Sequence, residues 1–587
     1  MQKKSTAKDF RHIFGLPLLR IATMIKSKST TDTNGKSFAN TYQLTSITIN
    51  KPIMSRCLLS IAIASSLLLV GCGDDDNDSI VRNDTSVESI NAFSTTEIDD
   101  QISLSGTATP AAKCDIKIKK VSYPTVGAAG ERTNATAALM LPSGDSADCQ
   151  GDRPILLYAH GTTTDKDYDF SQVANTQNPA VGESTLIAAN FAAQGYIVVA
   201  PNYAGYDDSK LDYHPYLVAE QQSTDMADAL DSAREIIVRQ KHANDSDYAN
   251  IDDSGKLFIS GYSQGGHVAM ATARMLEQND EPVTAIAPLS GPYALAAFGD
   301  AIFSGNVNIG ASRFAPLLAG GLQKAYGNVY NSTADIFTAN YANTQLPSLL
   351  SFGELVAANK LPDNALFEAK PTGNALLDQL PDSELPFAFL GFADDNYLIK
   401  TDFRAAYVTD ALQNPDSLVV GTGLLPAANP QNNLRKALKA NDLRGYIPKM
   451  PTLLCGGNQD PTVYYDLNSS SMAAIIQGSV AQNPALTVNV TVLDVDATTA
   501  NDRPNTPNVQ LIGQASLNQW NINSVVASVQ SNFVQNLQRV VDVGAQQGIP
   551  ASVAVLGNYH GGLVSTACTQ ATREFFEQNF NQSNNPT

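Results

Sequence analysis

The chain has 587 residues, enough to bury a large core, and its 43% hydrophobic and 16% charged content is that of a globular protein rather than a disordered one. It is acidic, with a formal charge of -19; the first 72 residues hold ten Lys or Arg against two Asp, which leaves 28 basic and 55 acidic side chains after them. A surface of that sign argues against nucleic acid as a partner and is read as solvation rather than as a site for cationic ligands.

Residues 1–53 show no folded-domain pattern and are expected to be a non-native upstream extension, with the natural start at Met54. Leu58 to Val70 is an apolar run with the length of a signal-peptide h-region, preceded by Arg56 and followed by Gly71-Cys72 and the polar GDDDNDS. This segment resembles the lipobox of bacterial lipoproteins. The resemblance implies that 54–72 is a signal peptide, that Cys72 is lipidated and becomes the first mature residue, and that the protein is anchored in the bacterial cell envelope. Gly73 after the cysteine leans toward the outer membrane in that family's sorting pattern; the periplasmic or surface face stays open. The bland alternative is a buried apolar helix.

Residues 73–105 are rich in Asp, Ser, Thr and Asn without apolar periodicity and are expected to form a flexible acidic tether. Asp115–Val121 and Thr133–Leu141 read as an antiparallel pair, and Pro154–Tyr158 (PILLY) as a buried strand ending in HGTTT. Leu186–Ala193 reads as a helix capped at Gly195, and Tyr196–Ala200 as the next strand. Met226, Leu230, Ala233 and Ile237 recur at helical spacing, and Val283–Ala287 is a further strand. Repeated βα units over 106–291 predict a mostly parallel sheet with helices on both faces. From 292 to 449 the pattern is helical, with Phe314–Tyr326 and Phe403–Leu412 as its clearest segments, and is expected to be an inserted lid. The sheet resumes over 450–580 with Thr452–Cys455, Leu486–Leu493 and Val553–Leu556 as candidate strands.

Six cysteines are present. With Cys57 in the cleaved segment and Cys72 acylated, Cys114, Cys149, Cys455 and Cys568 remain, an even number that suits an oxidising compartment. Four cysteines allow three pairings; Cys114–Cys149 across an N-terminal hairpin and Cys455–Cys568 within the C-terminal part of the core are favoured. Zinc is the rival use, against which stands the lack of CxxC spacing or clustered histidines.

The chemistry centres on KLFISGYSQGGH, Lys256 to His267. A short apolar strand runs into Gly-x-Ser-x-Gly, where small residues permit a sharp strand-to-helix turn that projects the hydroxyl of Ser263 above the sheet. The amide of Gln264 then points at an oxyanion from the helix N-terminus. A serine needs a base, and that base an orienting acid. Of six histidines, His560, in the Gly-rich GNYHGGL, is the only one downstream of the serine region. His160 is assigned to holding its loop and His267 to local packing. Asp460, in TLLCGGNQDP just past a buried strand, is the preferred acid; Asp494 and Asp496 are its competitors. The second oxyanion donor is assigned to the amide of Thr162, in the loop after PILLY.

Taken together YAHGTT, APNYAGYD, GYSQGG, the helical insertion, GGNQDP and NYHGG resemble the α/β-hydrolase lipases and esterases, in particular the secretory lipases with a large helical lid. The likeness spans roughly residues 110–580, and its Ser, Asp, His chain order is matched by Ser263, Asp460 and His560. It implies an α/β-hydrolase fold and hydrolysis of carboxylic esters, lipids among them, through an acyl-enzyme on Ser263, with no metal or cofactor. About a hundred residues separate Asp460 from His560, so an extra insertion is expected near 502–547. A serine peptidase on the same fold and a non-catalytic surface lipoprotein are the rival readings. Neither oligomeric state nor acyl preference follows from the residues.

Overall fold

The computed structural model describes residues 85–105, 109–499, 508–516 and 522–580. The upstream extension, the signal peptide with Cys72 and the tether as far as residue 84 lie outside the described residues. Among the described residues no helix is long and apolar enough to cross a membrane.

Ten strands form the main sheet. They are β1 Ser86–Phe93, β2 Asp115–Val126, β3 Arg132–Ser143, β4 Gly151–Ala159, β5 Ile197–Pro201, β6 Ile251–Tyr262, β7 Ala285–Leu289, β8 Thr452–Gly456, β9 Asn489–Asp494 and β10 Val509–Gly513. Their order is β1-β2-β3-β5-β4-β6-β7-β8-β9-β10. The run from β5 to β9 is parallel throughout; β1, β2 and β3 add antiparallel strands at one edge and β10 at the other. Strands covered on both faces must be apolar on both faces, and Ile155 to Ala159 of β4 and Leu257 to Ile259 of β6 are buried without a break. In β2, by contrast, which lies near one edge, buried and half-buried residues alternate from Lys120 to Val126.

Helices cover the two faces in separate groups. Ala219–His242 and Gln264–Gln278 pack on each other and on the sheet, and Val181–Asn190 packs on Ser565–Asn579, which leans on β7 and β8. Gly195 closes the short turn after the helix Val181–Asn190 with a left-handed φ of 95°, the backbone state glycine reaches without penalty.

Between β7 and β8 the chain is helical, with Leu295–Phe303, Ala311–Tyr326, Thr401–Gln413 and Asn433–Ala440 as its longer segments. This insertion has a core of its own, built from residues such as Phe303, Leu322, Phe367 and Tyr407. Arg435 joins three of its helices, pairing with Asp300 at 2.7 Å and Asp410 at 2.8 Å.

Two expectations need correction. The tether does not extend to 105: Ser86–Phe93 is an edge strand on β2 and Thr95–Ser105 a helix. The strand was illegible because its side chains are mostly exposed, so pairing rests on backbone hydrogen bonds rather than an apolar face. Val553–Leu556 is not a strand but part of helix Ala551–Asn558, and His560 follows in a π-helical turn, Tyr559–Val564. Four apolar residues define no period, and Pro550 at the N-cap suits a helix start. The length between Asp460 and His560 is taken up by β10 and by helix Ile522–Gln546.

The disulfides are Cys114–Cys149 and Cys455–Cys568. The first ties the start of β2 to the turn before β4. The second links β8 to helix Ser565–Asn579.

Candidate active site

Ser263 terminates β6 and opens helix Gln264–Gln278. Its backbone stands at φ 59°, ψ −119°, a region that costs a non-glycine residue on the order of 1–3 kcal/mol and persists only where the surroundings impose it. They do so by close packing. A Cβ on Gly265 would come within 1.9 Å of the Ala159 carbonyl oxygen, and one on Gly261 within 2.3 Å of the Gly265 carbonyl oxygen. The Ser263 amide donates to the Leu289 carbonyl at 2.9 Å, which pins the turn to β7. Both glycines of Gly-x-Ser-x-Gly are therefore steric requirements of the turn.

Three side chains far apart in sequence meet here. His560 Nε2 lies 2.8 Å from Ser263 Oγ, and His560 Nδ1 lies 2.6 Å from Asp460 Oδ2. The acid is held by more than the histidine. Its Oδ1 accepts from the Thr462 and Val463 amides at 2.9 and 3.0 Å, and its Oδ2 from Ser290 Oγ at 3.1 Å.

The competitors Asp494 and Asp496 do not reach His560 but brace the loop that carries Asp460. Asp494 accepts from the backbone and side-chain nitrogens of Asn458, at 3.1 and 2.7 Å, and Asp496 accepts from Tyr559 Oη at 2.6 Å. Tyr559 Oη in turn accepts the Gln459 amide at 3.1 Å. Tyr262 Oη donates to the His560 carbonyl at 2.5 Å. Tyr262, Ser290 and Tyr559 thus support the site, and reading the sequence missed them. The only available signal was that two of them adjoin Ser263 and His560.

Of the two expected oxyanion donors, Thr162 borders the same space and Gln264 is the residue directly after Ser263. Thr162 and Ser263 line one cavity, and neither the Thr162 amide nor the Gln264 amide is used in a hydrogen bond among the described residues. Gln264 is fully buried, which makes its open N–H notable, since buried amides are nearly always paired. The Gln264 side chain is anchored away from the cavity, its Nε2 2.6 Å from His214 Nε2, while His214 Nδ1 donates to the Ala204 carbonyl at 2.9 Å. Burial keeps His214 neutral by pushing its pKa down to about 3. His160, lowered by burial to about 4, lies with Nδ1 2.7 Å from the Gly161 carbonyl and holds its own loop. His267 Nε2 bonds the Asn441 carbonyl at 2.8 Å, a packing contact.

The cavity measures about 680 Å³ and is walled by Leu186 of the core together with Ile309, Phe314 and Phe352 of the insertion. Such a volume suits a small to medium organic ligand. Among the described residues no cluster of three His, Cys, Asp or Glu side chains could hold a metal.

A mostly parallel sheet, a strained serine turn between its central strand and a helix, and an acid and a histidine supplied later in the chain define the α/β-hydrolase fold. Among solved structures the chain is similar to the ligand-bound form of the rice cell wall degrading esterase LipA from Xanthomonas oryzae, 24% identical over 71% of this chain and 92% of that one, with a TM-score of 0.54. Candida antarctica lipase A is more distant, 13% identical over 72% of this chain and 82% of that one, with a TM-score of 0.36, a likeness too slight to bear on function. No protein-family model and no curated protein matches the sequence.

Proposed function

We propose that this protein is a serine carboxylic ester hydrolase, a lipase or esterase that works through an acyl-enzyme on Ser263. The observation that carries the reading is the Ser263–His560–Asp460 relay, at 2.8 and 2.6 Å, opening onto a cavity of mixed polar and apolar lining, with the Thr162 and Gln264 amides unengaged among the described residues. His560 Nε2 takes the Ser263 proton as Oγ attacks the ester carbonyl, while Asp460 holds Nδ1–H and steadies the imidazolium. The Thr162 and Gln264 amides receive the oxyanion; a donor of this kind contributes roughly 3 kcal/mol to the transition state. The alcohol leaves with the proton from Nε2. Water then attacks the acyl carbon, gives a proton to His560, and the acid departs as Ser263 recovers its own. Every step uses groups of this chain and water.

The helical insertion acts as a lid in this reading, because its Ile309, Phe314 and Phe352 form part of the cavity wall. That LipA is an esterase supports an ester substrate. Lipidation at Cys72 would hold the enzyme at a membrane surface of the bacterial envelope; incorporation of labelled palmitate by the wild type and its loss in Cys72→Ala would support that anchor, and equal incorporation would refute it.

Turnover of p-nitrophenyl esters from acetate to laurate tests the activity. The wild type should hydrolyse part of the series, and Ser263→Ala should lose about a thousandfold or more in kcat. Equal turnover by the two proteins would overturn the proposal.

A further inference from the structure

Glu183 stands in the first turn of helix Val181–Asn190 and lines the Ser263 cavity. Its carboxylate gathers donors from three residues. Tyr158 Oη donates to Oε1 at 2.8 Å, Tyr168 Oη donates to Oε2 at 3.1 Å, and the Gly161 amide reaches Oε1 at 3.0 Å and Oε2 at 3.2 Å. No cation pairs with it within 4 Å among the described residues. Burying a carboxylate without a cation is unfavourable, and here burial pushes the pKa of Glu183 above the ordinary glutamate value, against the opposing pull of these hydrogen bonds. The positive end of its own helix favours the charged form.

What the carboxylate holds is the residue before the proposed oxyanion donor. Packing alone does not fix Gly161, because a Cβ there would meet nothing closer than 3.5 Å. Hydrogen bonds fix it instead. Glu183 captures the N–H of the peptide that enters Gly161, and His160 Nδ1 lies 2.7 Å from the carbonyl of the peptide that leaves it. In a planar trans peptide the carbonyl and the following N–H point in opposite directions. Holding the Gly161 oxygen on the His160 side therefore turns the Thr162 N–H the other way. The neighbouring residues are tied as well: Tyr203 Oη donates to the His160 carbonyl at 3.0 Å and Tyr206 Oη to the Thr163 carbonyl at 2.7 Å. Glu183 is the only charged group in this set of restraints.

We propose that Glu183 is a positioning residue for ester hydrolysis: by gripping the Gly161 amide it presets the oxyanion loop, so that the Thr162 amide is aimed before substrate arrives. This rests on the hydrolase reading of the Ser263 site. A preset donor acts on the tetrahedral oxygen far more than on the ground-state carbonyl, so loss of Glu183 should lower kcat and spare KM.

The test compares wild type, Glu183→Gln, Glu183→Ala and Ser263→Ala on a soluble p-nitrophenyl ester. Affinity is measured in parallel for a trifluoromethyl ketone, which forms a tetrahedral adduct on serine, and for the alcohol product. Glu183→Ala is expected to lose about 30- to 100-fold in kcat with KM within threefold. Trifluoromethyl ketone affinity should fall by the same factor as kcat/KM, while product affinity stays within threefold. Glu183→Gln keeps one acceptor oxygen and should recover part of the loss. Folded Glu183 variants with kcat within twofold of wild type would overturn the proposal. So would a loss that appears equally in product affinity, or a failure of both variants to fold, either of which makes Glu183 a residue of general stability. Should the wild type itself neither hydrolyse esters nor bind the ketone, the hydrolase reading has failed and this inference falls with it; an active wild type whose activity vanishes in Ser263→Ala leaves Glu183 as the sole question.

Discussion

Around Ser263 the holding is done by backbone: Gly261 and Gly265 are packed so tightly that a Cβ would enter neighbouring carbonyl oxygens, and Ser263 is forced to φ 59°. Around Asp460 and His560, beyond the Thr462 and Val463 amides that hold Asp460, it is done by side chains. Ser290, Tyr262 and Tyr559 supply hydroxyl contacts, Asn458 is clamped by Asp494, and Cys455–Cys568 ties the strand before the acid to the helix after the histidine. The contrast follows from chain geometry. A strand-to-helix turn within one βα unit fixes its residues locally, whereas two residues a hundred positions apart need cross-links to meet at 2.6 Å.

The largest expected effect is on the backbone side. Gly265→Ala should destabilise the fold by about 3–5 kcal/mol in urea denaturation, since the atom it meets is main chain and cannot rotate away. Stability equal to wild type would show that the turn yields, and the contrast would break. On the other side, the double change Cys455→Ser, Cys568→Ser should cost about 2–5 kcal/mol and also lower kcat, because it loosens the acid against the base. The matching change at Cys114 and Cys149 is its control: a similar loss of stability with kcat unchanged, since that bond lies at the far end of β4 from the site. Equal effects of the two pairs on kcat would show that Cys455–Cys568 has no special hold on the site.

Smaller still is Tyr559→Phe, which strips the hydroxyl shared by Gln459 and Asp496 and should cost about 1–3 kcal/mol, read by denaturation alongside kcat. The least effect concerns pH. Asp225, which accepts from the Ala204 amide and from Tyr123, is pushed by burial from 3.8 up to about 7. A folded-state value above the unfolded one means its contribution is full below pH 3.8 and is lost as pH rises through 7. Wild type should therefore lose about 1 kcal/mol relative to Asp225→Asn between about pH 6 and pH 8. A constant difference across that range would contradict the shift.

Legibility in the sequence follows the same divide. The Ser263 turn could be read because a local pattern, apolar strand then spaced glycines, makes a local structure. His560 could be singled out by counting histidines, but its setting could not, since VAVL before it fits a strand or a helix equally and the long-range packing decides. Chain order does not separate Asp460 from Asp494 and Asp496, since all three stand between Ser263 and His560; what distinguishes them physically is that the latter two face Asn458 and Tyr559. The edge strand Ser86–Phe93 was hidden by its polar side chains. Glu183 left no trace, because its partners are Tyr158, Tyr168 and a glycine amide brought together only by the fold.

Reaction with a fluorophosphonate, followed by mass spectrometry of the proteolysed protein, tests directly whether the Ser263 relay is a working nucleophile. A single adduct on the peptide containing Ser263, absent from Ser263→Ala and strongly slowed in His560→Ala, is the expected result. An adduct on another serine, or labelling undiminished in Ser263→Ala, would contradict it.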